Sequence, residues 1–546
     1  MNAQGKGSPR VLTGVAGWLA ALVTTAAVGQ TAVGQAFRGP LGDDDRGASS
    51  PAVRTAVAAY NRGVEYTEQG DLTKAIESFS RAIQLHPGFG RAYSDRGLAR
   101  AMGGDYEPAI ADLDTAIRLD PKDDGAVLNR GYAYYRKGDL DKALADFDRA
   151  VRMDPKNADA YRERGYALVS RGELDKAIAD LSYAIRLAPT DASAYASRAV
   201  AYCRRGELDL AIADCNQAIR LDPKHGTAWT ERGYAYTLKG ELDKGLADLS
   251  RAVELVPDDP AAYFSRGFAL SKKGDWNGAI SDYNKAIELD PKYAEVYRER
   301  GYVLAMRDDF EQALVNLNYA IGLTPEDAAA RFRRGLVHFM KEDYESAKAD
   351  FAEAVRLDPY HVESYFNRAL AYAESGEMDK ALKDYRQVIL IDAKSPEEYK
   401  QWCRGLAKEG LPETVDRLEA ALLEAKEKAT GHYQQGYAQH KQGHLDEALA
   451  EYGKAIGLYP RYTHVYYNRA LIFRKNGKLD EAISDYSKAI QLDPTFVSAY
   501  LNRGLMLYNK GRPNRALADF EKVLQLDPEN ADARKGRDYV LKVQRR

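Results

Sequence analysis

Proline stands at 87, 121, 155, 189, 223, 257, 291, 325 and 359, each 34 residues after the last, and returns at 460, 494 and 528 with the same spacing. A fixed period of this length marks one small unit copied along the chain, each copy burying its apolar face against the next. Residues 158–191 show the unit. Two amphipathic segments, Asp159–Ser170 and Leu174–Leu187, flank Gly172, and Pro189 closes the second. Glycine supplies the left-handed residue that ends a helix, and proline cannot continue one. Gly165 in the first segment and Ala177 and Ala184 in the second are small where two helices must cross closely, and Leu181 shares their face at helical spacing. The expected fold is therefore all-α, a solenoid of about 14 helix-turn-helix units in place of the several globular domains that 546 residues would otherwise suggest.

Numbered from Ala56, most units carry an aromatic at position 4, Gly or Ala at 8, Ala at 20, an aromatic or large apolar residue at 24, Ala at 27 and Pro at 32. Alanine holds position 20 from Ala75 to Ala516 except at Gly245 and Thr414, and position 27 except at Val388 and Val523. This pattern resembles the tetratricopeptide repeat (TPR) family, of an exported bacterial type, over residues 56–530. The resemblance implies a right-handed superhelix in which the first helix of each unit, helix A, lines a concave groove that takes a peptide segment of a partner protein. It places positions 2, 5, 6, 9, 12 and 13 on that groove. Position 6 then offers the amides of Asn61, Asn129, Asn367, Asn468 and Asn502, and position 9 offers Tyr132, Tyr166, Tyr234, Tyr302 and Tyr437. Amides donate and accept at once, and tyrosine joins contact area to a polar tip. The family's clamp for acidic chaperone tails is missing: position 5 is basic at Arg162, Arg298 and Lys400, but position 9 beside the first two is Tyr166 and Tyr302.

Outside the repeats, Lys6 and Arg10 precede an uncharged run, Val11–Val28, and small residues Gly34 and Ala36 stand before Phe37. Residues 1–36 thus read as a secretory signal peptide, with an uncleaved N-terminal anchor as the alternative, and either puts the repeats outside the cytoplasm, periplasmic or extracellular. Residues 37–55 read as a flexible linker and 56–395 as repeats one to ten. Residues 396–428 form a degenerate unit with Cys403 at the small position and Pro412 at the turn, the expected site of a bend. Residues 429–530 carry repeats twelve to fourteen, and 531–546 read as a capping helix.

Two departures from the family pattern shape further expectations. Position 7 is arginine in nearly every unit (Arg96, Arg130 and Arg164 among them), while position 23 of the partner helix B is aspartate (Asp112, Asp146, Asp180). An internal ladder of arginine forks on carboxylates, in the same or the preceding repeat, follows. The inter-helix turn carries Gly at position 15 except at Asp308 and Glu342, where a different turn is expected. A weaker 68-residue period repeats Glu-Arg-Gly-Tyr at 163–166, 231–234 and 299–302, which places an acid on every second helix A.

The charge balance, 78 Lys and Arg against 81 Asp and Glu, gives no basic stripe for nucleic acid. Cys215 sits at a core position and reads as an inert buried thiol, with Cys203 in the preceding helix. His440 and His444 lack a third convergent ligand, so no metal site is expected. No nucleotide loop, nucleophile elbow or other enzymatic motif is present in the sequence, and no cofactor is called for. The reading is a non-catalytic scaffold that binds other proteins, with membrane association only through the N-terminal segment. An accessory subunit of a cell-envelope polysaccharide or peptidoglycan enzyme, bound through the tyrosine-lined groove, is the alternative.

Overall fold

The computed structural model describes residues 51–391 and 411–544, so the N-terminal segment and Tyr399, Lys400, Trp402 and Cys403 lie outside it. Among the described residues the secondary structure is helical throughout, with no strand. The described residues up to Pro325 form one compact unit and those from Glu326 onward a second. Repeats one to eight belong to the first, and repeats nine to fourteen with the terminal helix to the second.

The type unit is realised as Ala158–Ser170 and Leu174–Leu187, within a residue of the expected segments. Its small residues are where the hairpin closes. A Cβ on Gly165 would lie 2.7 Å from Leu181 Cγ, and one on Gly131 would lie 2.7 Å from the Phe147 ring. Ala177, Leu181, Ala143 and Ala150 are fully buried. Each hairpin is too thin to enclose a core alone, and core clusters accordingly run across several repeats, as from Ala116 through Phe147 to Ala201. Repeat six brings backbone close to backbone. There Gly245 replaces the usual alanine, and a Cβ on it would meet Thr237 Oγ1 at 2.6 Å and the Gly233 carbonyl oxygen at 2.9 Å.

The expectation of a different turn at Asp308 and Glu342 is incorrect. Asp308 (φ 62°) and Glu342 (φ 63°) adopt the left-handed conformation of Gly138 and its equivalents. Their hydrogen bonds are also the same: Asp309 N donates to Leu304 O at 3.0 Å as Asp139 N donates to Tyr134 O at 2.9 Å. Packing of the two helices fixes the turn, and the side chain bears the cost. Glu342→Gly is therefore expected to raise stability by about 1 kcal/mol, and Asp308→Gly by less because aspartate tolerates this region better. Urea melts of the two variants measure it.

In the second unit one helix runs unbroken from Leu411 to Gln442. It joins the second half of the degenerate unit to helix A of repeat twelve, so the sequence boundary at 428/429 falls inside a helix. The cause is legible in hindsight: the proline that ends other units has no counterpart between 413 and 459. At the far end Ala531–Gln544 packs on the last repeat, with Val540 buried against Leu507 and Phe520.

The ladder forms, and it reaches both of the proposed partners. Arg130 Nε and Nη2 each donate to Asp146 of the same repeat at 2.7 Å, while Nη1 donates to Asp114 of the preceding helix B at 2.7 Å. Arg164 spans Asp180 and Asp148 in the same way, and Arg198, Arg232 and Arg503 turn their third nitrogen to Ser182, Asn216 and Ser487. Each of these five arginines thus ties three helices together, while Arg266, Arg368 and Arg469 bond to the aspartate of their own repeat. In repeat eight the carboxylate is replaced by Asn316, which accepts from Arg300 Nε at 2.8 Å, and burial then holds Arg300 below the usual arginine range while the Asp282 and Asp350 hydrogen bonds hold Arg266 and Arg334 above it. Asp146→Ala is expected to cost about 2 kcal/mol, below the value for a fully buried pair because Arg130 keeps a fifth of its side chain exposed. Asn316→Asp should shift stability the other way, and thermal melts of both variants check the signs.

Candidate functional site

Helices A of successive repeats touch along one face in the first unit, and their polar side chains interlock across the junctions. Asn129 Nδ2 donates to Ser94 at 3.3 Å, the Tyr135 and Ser170 hydroxyls are 2.9 Å apart, and Tyr60 donates to Asp95 at 2.7 Å. The position-6 amides of the second unit work alike: Asn468 and Asn502 donate to Tyr433 and Tyr467 of the preceding repeats at 3.1 Å. Asn367 donates to the Glu363 carbonyl at 2.8 Å and keeps its buried Oδ1 without a partner. Asn61 is half-buried. Asn129, Asn468 and Asn502 therefore hold neighbouring repeats together, whereas Asn367 bonds within its own helix.

The position-9 tyrosines divide. Tyr132 and Tyr166 are buried, Tyr234 and Tyr302 half-buried, and Tyr437 is 40% exposed. Tyr132 accepts from Arg136 Nη1 at 2.8 Å, Tyr166 packs edge-on to Tyr135 at 5.7 Å, and Tyr437 stacks with Tyr433 at 6.1 Å under the Lys441 ammonium. Burial pushes the Tyr166 and Tyr234 hydroxyls well above the usual phenol range, so both remain protonated donors.

Between these tyrosines runs a strip of buried charge. The acids on every second helix A do not face solvent. Glu163, Glu231 and Glu299 are all buried, as are Arg162, Arg204 and Arg298. Arg162 serves several carboxylates, donating to Asp159 at 2.5 Å, to Asp191 at 2.8 Å and to Glu163 at 3.0 Å. Burial pushes the Glu231 carboxyl up to about 7, with Arg204 opposing and Asp259 adding to the rise, and pushes Asp259 itself up to about 6. His225, which caps helix A of repeat six through Nδ1 on Ala228 N at 3.3 Å, is held below its usual value by burial. Of this strip, the reading of groove positions misses Arg204, Glu231 and Asp259. The signal for it was the period of 68: Arg136, Arg204 and Lys272 stand at position 13 of repeats three, five and seven.

Cys203 and Cys215 are free thiols in one buried cluster, and burial pushes both well above the ordinary thiol range. No group of three or more His, Cys, Asp or Glu is placed to hold a metal ion among the described residues, and no described helix is long and apolar enough to cross a membrane.

Tetratricopeptide repeat profiles match residues 128–192, 307–361 and 341–398, a second set matches 101–138, 233–274, 269–308 and 470–511, and others match 56–89, 192–225, 429–462 and 497–530. The chain is a tetratricopeptide repeat protein. Among curated proteins it is similar to an uncharacterized protein of Methanocaldococcus jannaschii, 39% identical over 47 residues, a stretch that is 9% of this chain and 55% of that one. Similar solved structures include an APC/C hetero-tetramer (15% identity, TM-score 0.41, covering 91% of this chain and 98% of that one). A TPR protein of Parabacteroides merdae is 20% identical with TM-score 0.37, covering 44% and 97%, and a thermophilic one of Thermus thermophilus is 24% identical with TM-score 0.32, covering 33% and 99%. The TPR architecture is that of a protein-interaction scaffold and is typically non-catalytic.

Proposed function

We propose that this TPR protein is an exported scaffold that holds a segment of a partner protein along the helix-A face. The single observation that carries the groove reading is that the buried charge of the first unit outside the arginine ladder, Arg162, Glu163, Arg204, Glu231, Arg298 and Glu299 among it, lies on helices A and their caps. On helix B of that unit the buried charges are the ladder aspartates, each already paired with an arginine of helix A. The sugar-stacking alternative has less support, since stacking needs open ring faces and, of the five groove tyrosines, Tyr437 alone is exposed.

Affinity capture from the cell envelope, with the intact chain as bait, tests the reading. Tyr302→Ala combined with Tyr437→Ala is expected to lose a partner that the wild type retains, whereas Leu210→Ala, an exposed helix-B change, keeps it. Equal capture by all three baits would count against the helix-A face. Export is checked separately: the mature chain is expected to begin at Phe37, and a chain lacking residues 1–36 should stay in the cytoplasm.

A further inference from the structure

The 68-residue alternation sets a base at position 13 against an acid at position 6 of the next repeat, as in Arg204 and Glu231. Repeats four and eight also place an arginine beside their acid. Arg162 Nη2 donates to Glu163 at 3.0 Å and Arg298 Nε lies 3.4 Å from Glu299. Repeat six has Thr230 there, and its hydroxyl turns back to the Gly226 carbonyl at 3.2 Å. Glu231, 6% exposed, is left with no hydrogen-bond partner among the described residues. Arg204, 9% exposed, donates through Nη1 to the Val169 carbonyl at 2.8 Å, but its Nε and Nη2 have no acceptor. The buried Tyr293 hydroxyl is also without a partner. Glu231 acts electrostatically on Arg204, Tyr166 and Tyr293, so these unmet groups gather at one place on the helix-A face.

The Nε and Nη2 edge of a guanidinium asks for an oxygen with free lone pairs, and a carboxyl oxygen beside it asks for an N–H. Surrounding charge selects among the groups that supply these. Glu231 and Glu295 both act electrostatically on Arg204, and Asp259 acts on Glu231, so the arginine is already offset by carboxyls and a further carboxylate is disfavoured. An ammonium would satisfy Glu231 and leave both Arg204 donors bare. A neutral amide meets both demands. The geometry points to a subsite for one carboxamide of the bound segment, its carbonyl on Arg204 Nε and Nη2 and its N–H on Glu231. This rests on the groove reading above and names the chemistry it selects. The amide is either an Asn or Gln side chain or a peptide bond of the partner.

Fluorescence anisotropy with the full chain and a capped, labelled Gly-Gln repeat peptide tests the assignment, with Gly-Ala, Gly-Glu and Gly-Lys peptides alongside. The Gly-Gln peptide is expected to bind, and Arg204→Met to weaken it at least about tenfold. Equal binding of the Gly-Ala peptide assigns the backbone amide as the ligand, and a preference for Gln assigns the side chain. Thr230→Arg is a second variant, independent of any instability in the first. It gives Glu231 the arginine its counterparts have and should abolish binding while keeping the fold. A preference for the Glu or Lys peptide, undetectable binding of both neutral peptides, or unchanged affinity in the two variants would overturn the subsite. Partner capture that survives Arg204→Met but not the Tyr302 and Tyr437 changes would leave the groove standing and remove only this subsite.

Discussion

Gly233→Val should destabilise the chain by about 3 kcal/mol, while Gly457→Val changes stability by less than about 0.5 kcal/mol. The substitution is the same, and both sites are helical. At Gly233 a Cβ would lie 2.6 Å from Leu249 Cγ, 2.9 Å from the Gly245 carbonyl oxygen and 3.2 Å from Asp248 Cβ, so a branched residue must drive the two helices of repeat six apart. Backbone on the far side cannot rotate out of the way as a side-chain tip would. At Gly457 nothing lies within 4 Å. Because a stack of hairpins is held by nearest-neighbour interfaces, the damage should be local. Hydrogen exchange is expected to rise in repeats five to seven and to stay near wild-type rates in repeat one. Uniform loss of protection would mean that repeat six melts only with the entire stack.

The second large effect is on pH dependence. Glu231 carries a folded pKa of about 7 against an ordinary value near 4.5. As pH rises, the unfolded chain releases this proton first. Between the two values the folded state therefore holds more protons, and stability falls with rising pH. At about 1.36 kcal/mol per pH unit the loss amounts to about 3 kcal/mol by pH 7. The groups facing Glu231 are Arg204, Cys203 and Cys215 from repeat five, Tyr166 from repeat four, Tyr234 on its own helix, and Asp259 and Tyr293 at the starts of the next two helices A. Only Asp259 shares the window, and it is present in both proteins compared. Glu231→Gln, which mimics the protonated acid, should match wild type near pH 4.5 and exceed it by about 3 kcal/mol at pH 8 in urea melts. A gap of equal size at both pH values would place this carboxyl near its ordinary pKa.

The repeat frame, the hairpin segments and the arginine ladder were legible in the sequence because each depends on residue types at fixed spacing. Gly165 against Leu181, and Arg164 against Asp180, meet wherever the hairpin forms. The turns at Asp308 and Glu342 were misread because local preference was weighed alone, whereas packing of the paired helices overrides it. The site was only half visible. Family positions point to the helix-A face, but whether Tyr166 lies open or covered depends on how closely the next repeat approaches. Arg204 escaped notice because its role comes from a missing partner. Thr230 looks unremarkable until Glu231 is found buried beside it.

The ladder and the charge strip count the chain in different units. An arginine at position 7 reaches residues 16 places ahead and 16 places behind, so any single 34-residue copy can be lost or gained in recombination and the joined neighbours still find each other. The alternation of Arg204-type bases with Glu231-type acids needs two copies to complete one cycle. A descendant shortened by one repeat would keep its ladder and break the alternation, while one shortened by a pair would retain both, so if the proposed subsite is used, viable changes in length come in steps of two.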